Sequence, residues 1–116
     1  MYALKLHINL TADKWRGYSR GRQILMIACE FERAGHWMEH RNEAIVRQCD
    51  ERAFELIDIS AEDPKWRRGL GELLRFRELL AERYACGSMD TGHNRELLLA
   101  LLSLDAEAAN AMRAGT

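Results

Sequence analysis

Residues 64–87 read PKWRRGLGELLRFRELLAERYACG, and this stretch decides the class of fold. At 100° per residue, Trp66, Leu70, Leu73, Leu74, Phe76, Leu80 and Tyr84 gather on one side, with Lys65, Arg68, Glu72, Arg75 and Glu82 opposite. That is the pattern of a helix with one buried face. Proline is tolerated at a first helical position and Gly87 is a natural terminator, so the spacing predicts a helix over 64–86. Gly69 and Gly71 then lie inside it, not between a strand and a helix, and are expected to serve close helix packing rather than phosphate binding.

The same period extends outward in both directions. Thr11 has the chemistry of an N-cap, and a helical pattern runs over 12–34 to Gly35. A second helix is expected over 36–59, and the polar turn from Ser88 to Gly92 leads into a last one over 92–113. Four helices of similar length joined by short turns pack antiparallel, because a short connection cannot carry the chain back to the far end. The expected fold is therefore all-α: an up-down-up-down four-helix bundle with a short extended N-terminal segment. A helix running unbroken through Gly35, giving a three-helix hairpin shape, is the alternative. Residues 2–10 alternate, with Tyr2, Leu4, Leu6, Ile8 and Leu10 on one side and Lys5, His7 and Asn9 on the other, which is the period of a strand. Without a partner strand, this segment is expected to lie along the bundle as an arm or to pair with its copy in a dimer.

A chain of 116 residues, 47% hydrophobic and 30% charged, has the length and balance of one folded domain, taken here as residues 1–116. Its 17 basic and 18 acidic residues leave no excess charge to draw it to nucleic acid or an anionic membrane. Arg16, Arg20 and Arg22 read as a solvated face. Cys29, Cys49 and Cys86 match neither a disulfide framework nor two metal-binding pairs, so a reducing cytoplasm is expected, with Cys29 and Cys49 as buried inert thiols. No apolar run reaches the roughly 18 residues of a membrane helix. The start lacks a basic segment followed by an apolar run, so secretion is not expected either.

Polar residues interrupt the apolar faces of three helices: Glu32, Asn42 and Arg77, each nearer the Gly35 end of the bundle. An unpaired buried charge is costly, so these residues are expected to form a buried network that fixes helix register, with Arg77 paired to Glu32. The last helix departs from the amphipathic rule in another way. Leu97, Leu101, Leu104, Ala108 and Ala111 can face the core, which leaves Leu98, Leu102, Ala106 and Ala109, with Leu99 beside them, pointing outward. Such a stripe is expected to meet a partner helix or a second copy of the chain; a different rotation would bury it within the monomer.

Motifs for chemistry are sparse. His36 and His40 are four apart, with Glu32 and Glu43 nearby, a spacing that can hold a metal. Both histidines fall on the solvent side, however, and Gly35 breaks the line to Glu32. Together with His93 they support only an alternative metal-binding reading. There is no pair of inward Glu-x-x-His motifs, no Gly-rich phosphate loop, and no cysteine with a recognisable histidine and acid. Neither catalytic residue, cofactor nor small-molecule substrate is expected.

Ile24-Leu25-Met26-Ile27-Ala28, followed by Ala34-Gly35-His36-Trp37, resembles the signature region of FliT-type flagellar export chaperones. In that family an apolar helix ends in a glycine-x-tryptophan turn before an acidic second helix, whose charged residues Glu43 and Arg47 roughly match. The resemblance covers about residues 20–50. It implies a cytoplasmic helical chaperone that covers an aggregation-prone helical segment of an export substrate, with Leu98, Leu102 and Ala106 as contacts. A self-associating structural bundle is the competing expectation.

Overall fold

Thr11 opens the first helix, its hydroxyl accepting a bond from the Lys14 N–H at 3.1 Å. In the computed structural model, which describes residues 6, 7 and 9–114, that helix is short. The chain forms α1 (Ala12–Arg16), α2 (Arg20–Glu39), α3 (Glu43–Ala61), a 3-10 turn (Pro64–Trp66), α4 (Leu70–Cys86), α5 (Thr91–Leu102) and α6 (Ala106–Ala114). It is all-helical, with no strand among the described residues. The expected strand falls largely outside those residues; Leu6, His7, Asn9 and Leu10 are not in one, and Leu10 packs against the main core.

The expected boundaries shift for local reasons. Ser19 accepts from the Arg22 N–H at 3.1 Å and restarts the chain as α2, so the span 12–34 is two helices. Helix α2 then continues straight through Gly35 to Glu39. The turn falls at residues 40–42, where Arg41 takes the left-handed conformation (φ 54°) and the Asn42 side chain caps α3 by accepting from Ile45 N–H at 3.1 Å. Gly35 serves packing instead: a Cβ there would sit 3.1 Å from Nδ2 of Asn94 on α5.

Residues 64–86 are likewise interrupted. Gly69 has φ +88° and precedes α4, a conformation that side chains other than glycine adopt only under strain. Gly71 faces open space, so close packing is not its role. Gly87 ends α4 as expected, at φ 65° with its N–H on the Arg83 carbonyl. The span 92–113 breaks at residues 103–105, where Ser103 Oγ donates to the Ala100 carbonyl and the Asp105 carboxylate accepts from Glu107 N–H at 2.9 Å to start α6.

Helix α2 is the hub, packing on α3, α5 and α6, while α4 leans on α3 and α5. The main core joins Trp15, Ile24, Ile27, Phe31, Ile57 and Trp66 to Leu73, Leu80 and Leu101. A smaller cluster of Ala34, Met38, Val46 and Cys49 closes the end near the α2–α3 turn. Polar hooks stitch this core: Trp15 Nε1 donates to Ser60 Oγ at 2.9 Å and Trp66 Nε1 to Gln23 Oε1 at 2.7 Å. Helix α6 crosses α2 at Gly21, where a Cβ would sit 2.6 Å from Glu107 Cβ. No helix of the described residues is long and apolar enough to cross a membrane.

Candidate functional site

The stripe expected to face outward on the last helix is mostly consumed by the fold. Helix α5 wedges between α2 and α4, and a wedge needs a broader apolar arc than a helix packed on one neighbour. Leu97, Leu98, Leu101 and Leu102 are therefore all buried, which corrects the exposure expected of Leu98 and Leu102. Leu99 stays 40% exposed, Ala106 is exposed and Ala109 half-buried.

What remains open is the seam between α4 and α5. Phe76 and Leu79 of α4 face Ala100 of α5 and Leu104 across a surface cavity of about 220 Å³. Glu72, Arg75 and Ser103 form its polar edge. Leu79 is 41% exposed, and Leu99 lies next to Ala100; Leu74, expected in the core, is also exposed, on the flank of α4 away from the groove. Isolated exposed leucines are ordinary, but two beside an apolar groove make a candidate contact surface.

The other end of the seam is sealed by charge. Arg83 is almost fully buried and donates to the Asp50 carboxylate of α3 and to Asn94 Oδ1 of α5; Asn94 Nδ2 in turn donates to the Phe31 carbonyl of α2 at 2.8 Å. The guanidinium also lies over the Phe31 ring, 5.3 Å from its centroid. Four helices meet at this one network. Burial pushes the Asp50 carboxyl above its ordinary value, against the pull of Arg83.

The network expected from sequence has other members and a different geometry. Glu32 is exposed, and no ion pair joins it to Arg77 among the described residues. Arg77 is half-buried and pairs with Asp58 of α3, its Nε 2.6 Å from Oδ1. Asn42 caps a helix instead of joining a core. Sequence reasoning missed Asp50 and Arg83; the signal that could have found them is register, Asp50 with buried Val46, Ala53 and Ile57, and Arg83 with Phe76 and Leu80.

A second charged cluster gathers where Leu6 and His7 meet α2 and α3. Glu55 accepts from the backbone N–H groups of Leu6 and His7 at 3.1 and 3.2 Å, and its Oε1 lies 2.8 Å from His7 Nδ1. Glu30 holds Arg33 at 2.8 Å and Arg52 at 3.2 Å. Burial pushes Glu30 up, but His7, Arg33 and Arg52 together outweigh it and hold the carboxyl below its ordinary value.

His36 and His40 are exposed, with ring centroids 4.4 Å apart, and His40 Nδ1 is 2.9 Å from the His36 carbonyl. Among the described residues no group of three or more His, Cys, Asp or Glu side chains is arranged to hold a metal. A shallow cleft of about 470 Å³ lies between α2 and α5, with Glu32, His36, Glu39 and Arg95 around a floor of Phe31 and Leu98. Cys49 is buried, as expected, and burial raises its thiol; Cys29 is exposed, contrary to expectation. No family model, curated protein or solved structure matches the chain.

Proposed function

We propose that this chain is a non-enzymatic, cytoplasmic adaptor or chaperone that holds an apolar helix of a partner protein, with α2 to α5 as a four-helix-bundle scaffold and the α4–α5 groove as the seat. One observation carries the reading: the apolar groove between Phe76, Leu79, Ala100 and Leu104, flanked by exposed Leu99. A helix presenting apolar residues at i, i+3, i+4 and i+7 is the element that fills such a groove. The groove's edge carries Glu72 and Arg75, of opposite sign, which favours a partner helix of mixed charge beside its apolar stripe. A stable dimer buries on the order of 1,600 Å², whereas a groove bounded by so few side chains suits one inserted helix face. In this reading Leu79 and Leu99 take the contact role first expected of Leu98 and Leu102.

Two further points support it. The resemblance to FliT-type chaperones around the first long helix implies the same class of activity, client binding without chemistry. The thiols of Cys29, Cys49 and Cys86 are all free, which suits a reducing compartment.

The test uses a fluorescently labelled model peptide, a mixed-charge helix with leucines at i, i+3, i+4 and i+7. Its anisotropy should rise on titration with wild type and stay flat with Leu79→Glu/Leu99→Glu. Equal binding to both proteins would overturn the groove as the seat. Light scattering over a concentration series completes the test: a wild-type dimer that the double variant converts to folded monomers would assign the groove to self-association instead.

A further inference from the structure

We propose that His7 is a protonation-dependent latch that straps the backbone at Leu6 and His7 onto α2 and α3, held between the carboxylates of Glu30 and Glu55. The geometry favours the doubly protonated ring. Nδ1 lies 2.8 Å from Glu55 Oε1, and Nε2 faces Glu30 Oε2 at 3.8 Å. That Nε2 is buried and has no hydrogen-bond partner among the described residues. A neutral imidazole that donates from Nδ1 to Glu55 turns a bare nitrogen toward Glu30, acceptor against acceptor. The imidazolium turns an N–H toward each carboxylate.

The groups around the ring come from each neighbouring helix. Helix α2 contributes Glu30, with Arg33 bonded behind it, and α3 contributes Glu55 and Arg52. Lys14 of α1 and Tyr18 after it line the same cleft of about 520 Å³. Arg52 also donates to the Leu6 carbonyl at 3.0 Å, so the backbone is gripped from both sides. Glu30 raises the His7 pKa most; burial opposes it, Glu55 adds to it, and Arg52 opposes it. A raised folded value means the contribution of His7 is complete below its ordinary 6.5 and is lost as pH rises through the folded value. Release on the alkaline side would uncover Met26 and Tyr18, which line the cleft beside Leu6 and Leu10.

Hydrogen exchange on the intact chain tests the latch. The amides of Leu6 and His7, corrected for intrinsic exchange, should lose protection several-fold between about pH 5 and about pH 9, while a core amide such as Ile27 does not follow. His7→Gln, which cannot take a charge, should show low protection at both ends. Wild-type protection that is unchanged across the range, or a His7→Gln variant that keeps the wild-type pH dependence, would overturn the proposal. Direct titration of the His7 ring by NMR gives an independent reading. The expected midpoint lies above 6.5 and falls in Glu30→Gln; a midpoint at or below 6.5 in wild type would overturn the latch even if a variant failed to fold.

Discussion

The α2–α3 seam and the α4–α5 seam are both helical hairpins, yet one is closed at its turn and the other carries an open groove. Helices α2 and α3 run 20 and 19 residues and shut completely on Ala34, Met38, Val46 and Cys49 at their turn. Helix α5 runs only 12 residues against the 17 of α4, and its apolar arc is turned toward α2 as much as toward its hairpin partner. Near the α4–α5 turn, buried Arg83 draws Asp50 and Asn94 together. Away from it, Leu79 stays 41% exposed and a groove remains. Unequal helix length and a wedge position leave apolar side chains exposed even in a well-packed fold.

That contrast can be broken or sharpened by substitution. Arg83→Ala strands a buried carboxylate at the closed end of the open seam, so a loss of about 3–5 kcal/mol is expected in denaturant unfolding. Gly21→Ala forces a methyl into Glu107 where α6 crosses α2; a loss of about 1–3 kcal/mol is expected, with α6 amides losing protection first. Asn42→Ala removes the cap of α3 at the closed seam's turn and should cost about 1 kcal/mol. Leu79→Glu/Leu99→Glu, in the open seam, should change stability by no more than about 0.5 kcal/mol per site. A large loss there would mean that the groove is shut in solution.

The sequence disclosed the helical class because the 3.6-residue period is strong in every long segment, and several ends were legible from chemistry: the Thr11 cap, the Gly87 terminator and the polar turn from Ser88 to Gly92 ahead of α5, whereas the restart at Ser19 was missed. Gly35 misled because glycine ends helices and also lets helices approach, and only Asn94, far along the chain, distinguishes the two. The break at residues 103–105 carries no glycine or proline. Its signals are the side chains of Ser103, bonded back to the Ala100 carbonyl, and Asp105, which caps α6, and missing them left the last helix one unit too long. The kind of buried network was legible, whereas its members depended on helix phase: Arg83 rather than Arg77, Asp50 rather than Glu32. The His7 cluster joins residues 48 apart and had no sequence signal.

The most direct test of the groove as a seat for a partner helix is a ¹H–¹⁵N NMR titration of the intact chain with the model leucine-stripe peptide. Shifts confined to α4 around Phe76 and Leu79 and to α5 around Leu99 and Ala100, absent in Leu79→Glu/Leu99→Glu, are the expected result. Shifts centred elsewhere, or none at saturating peptide, would contradict it.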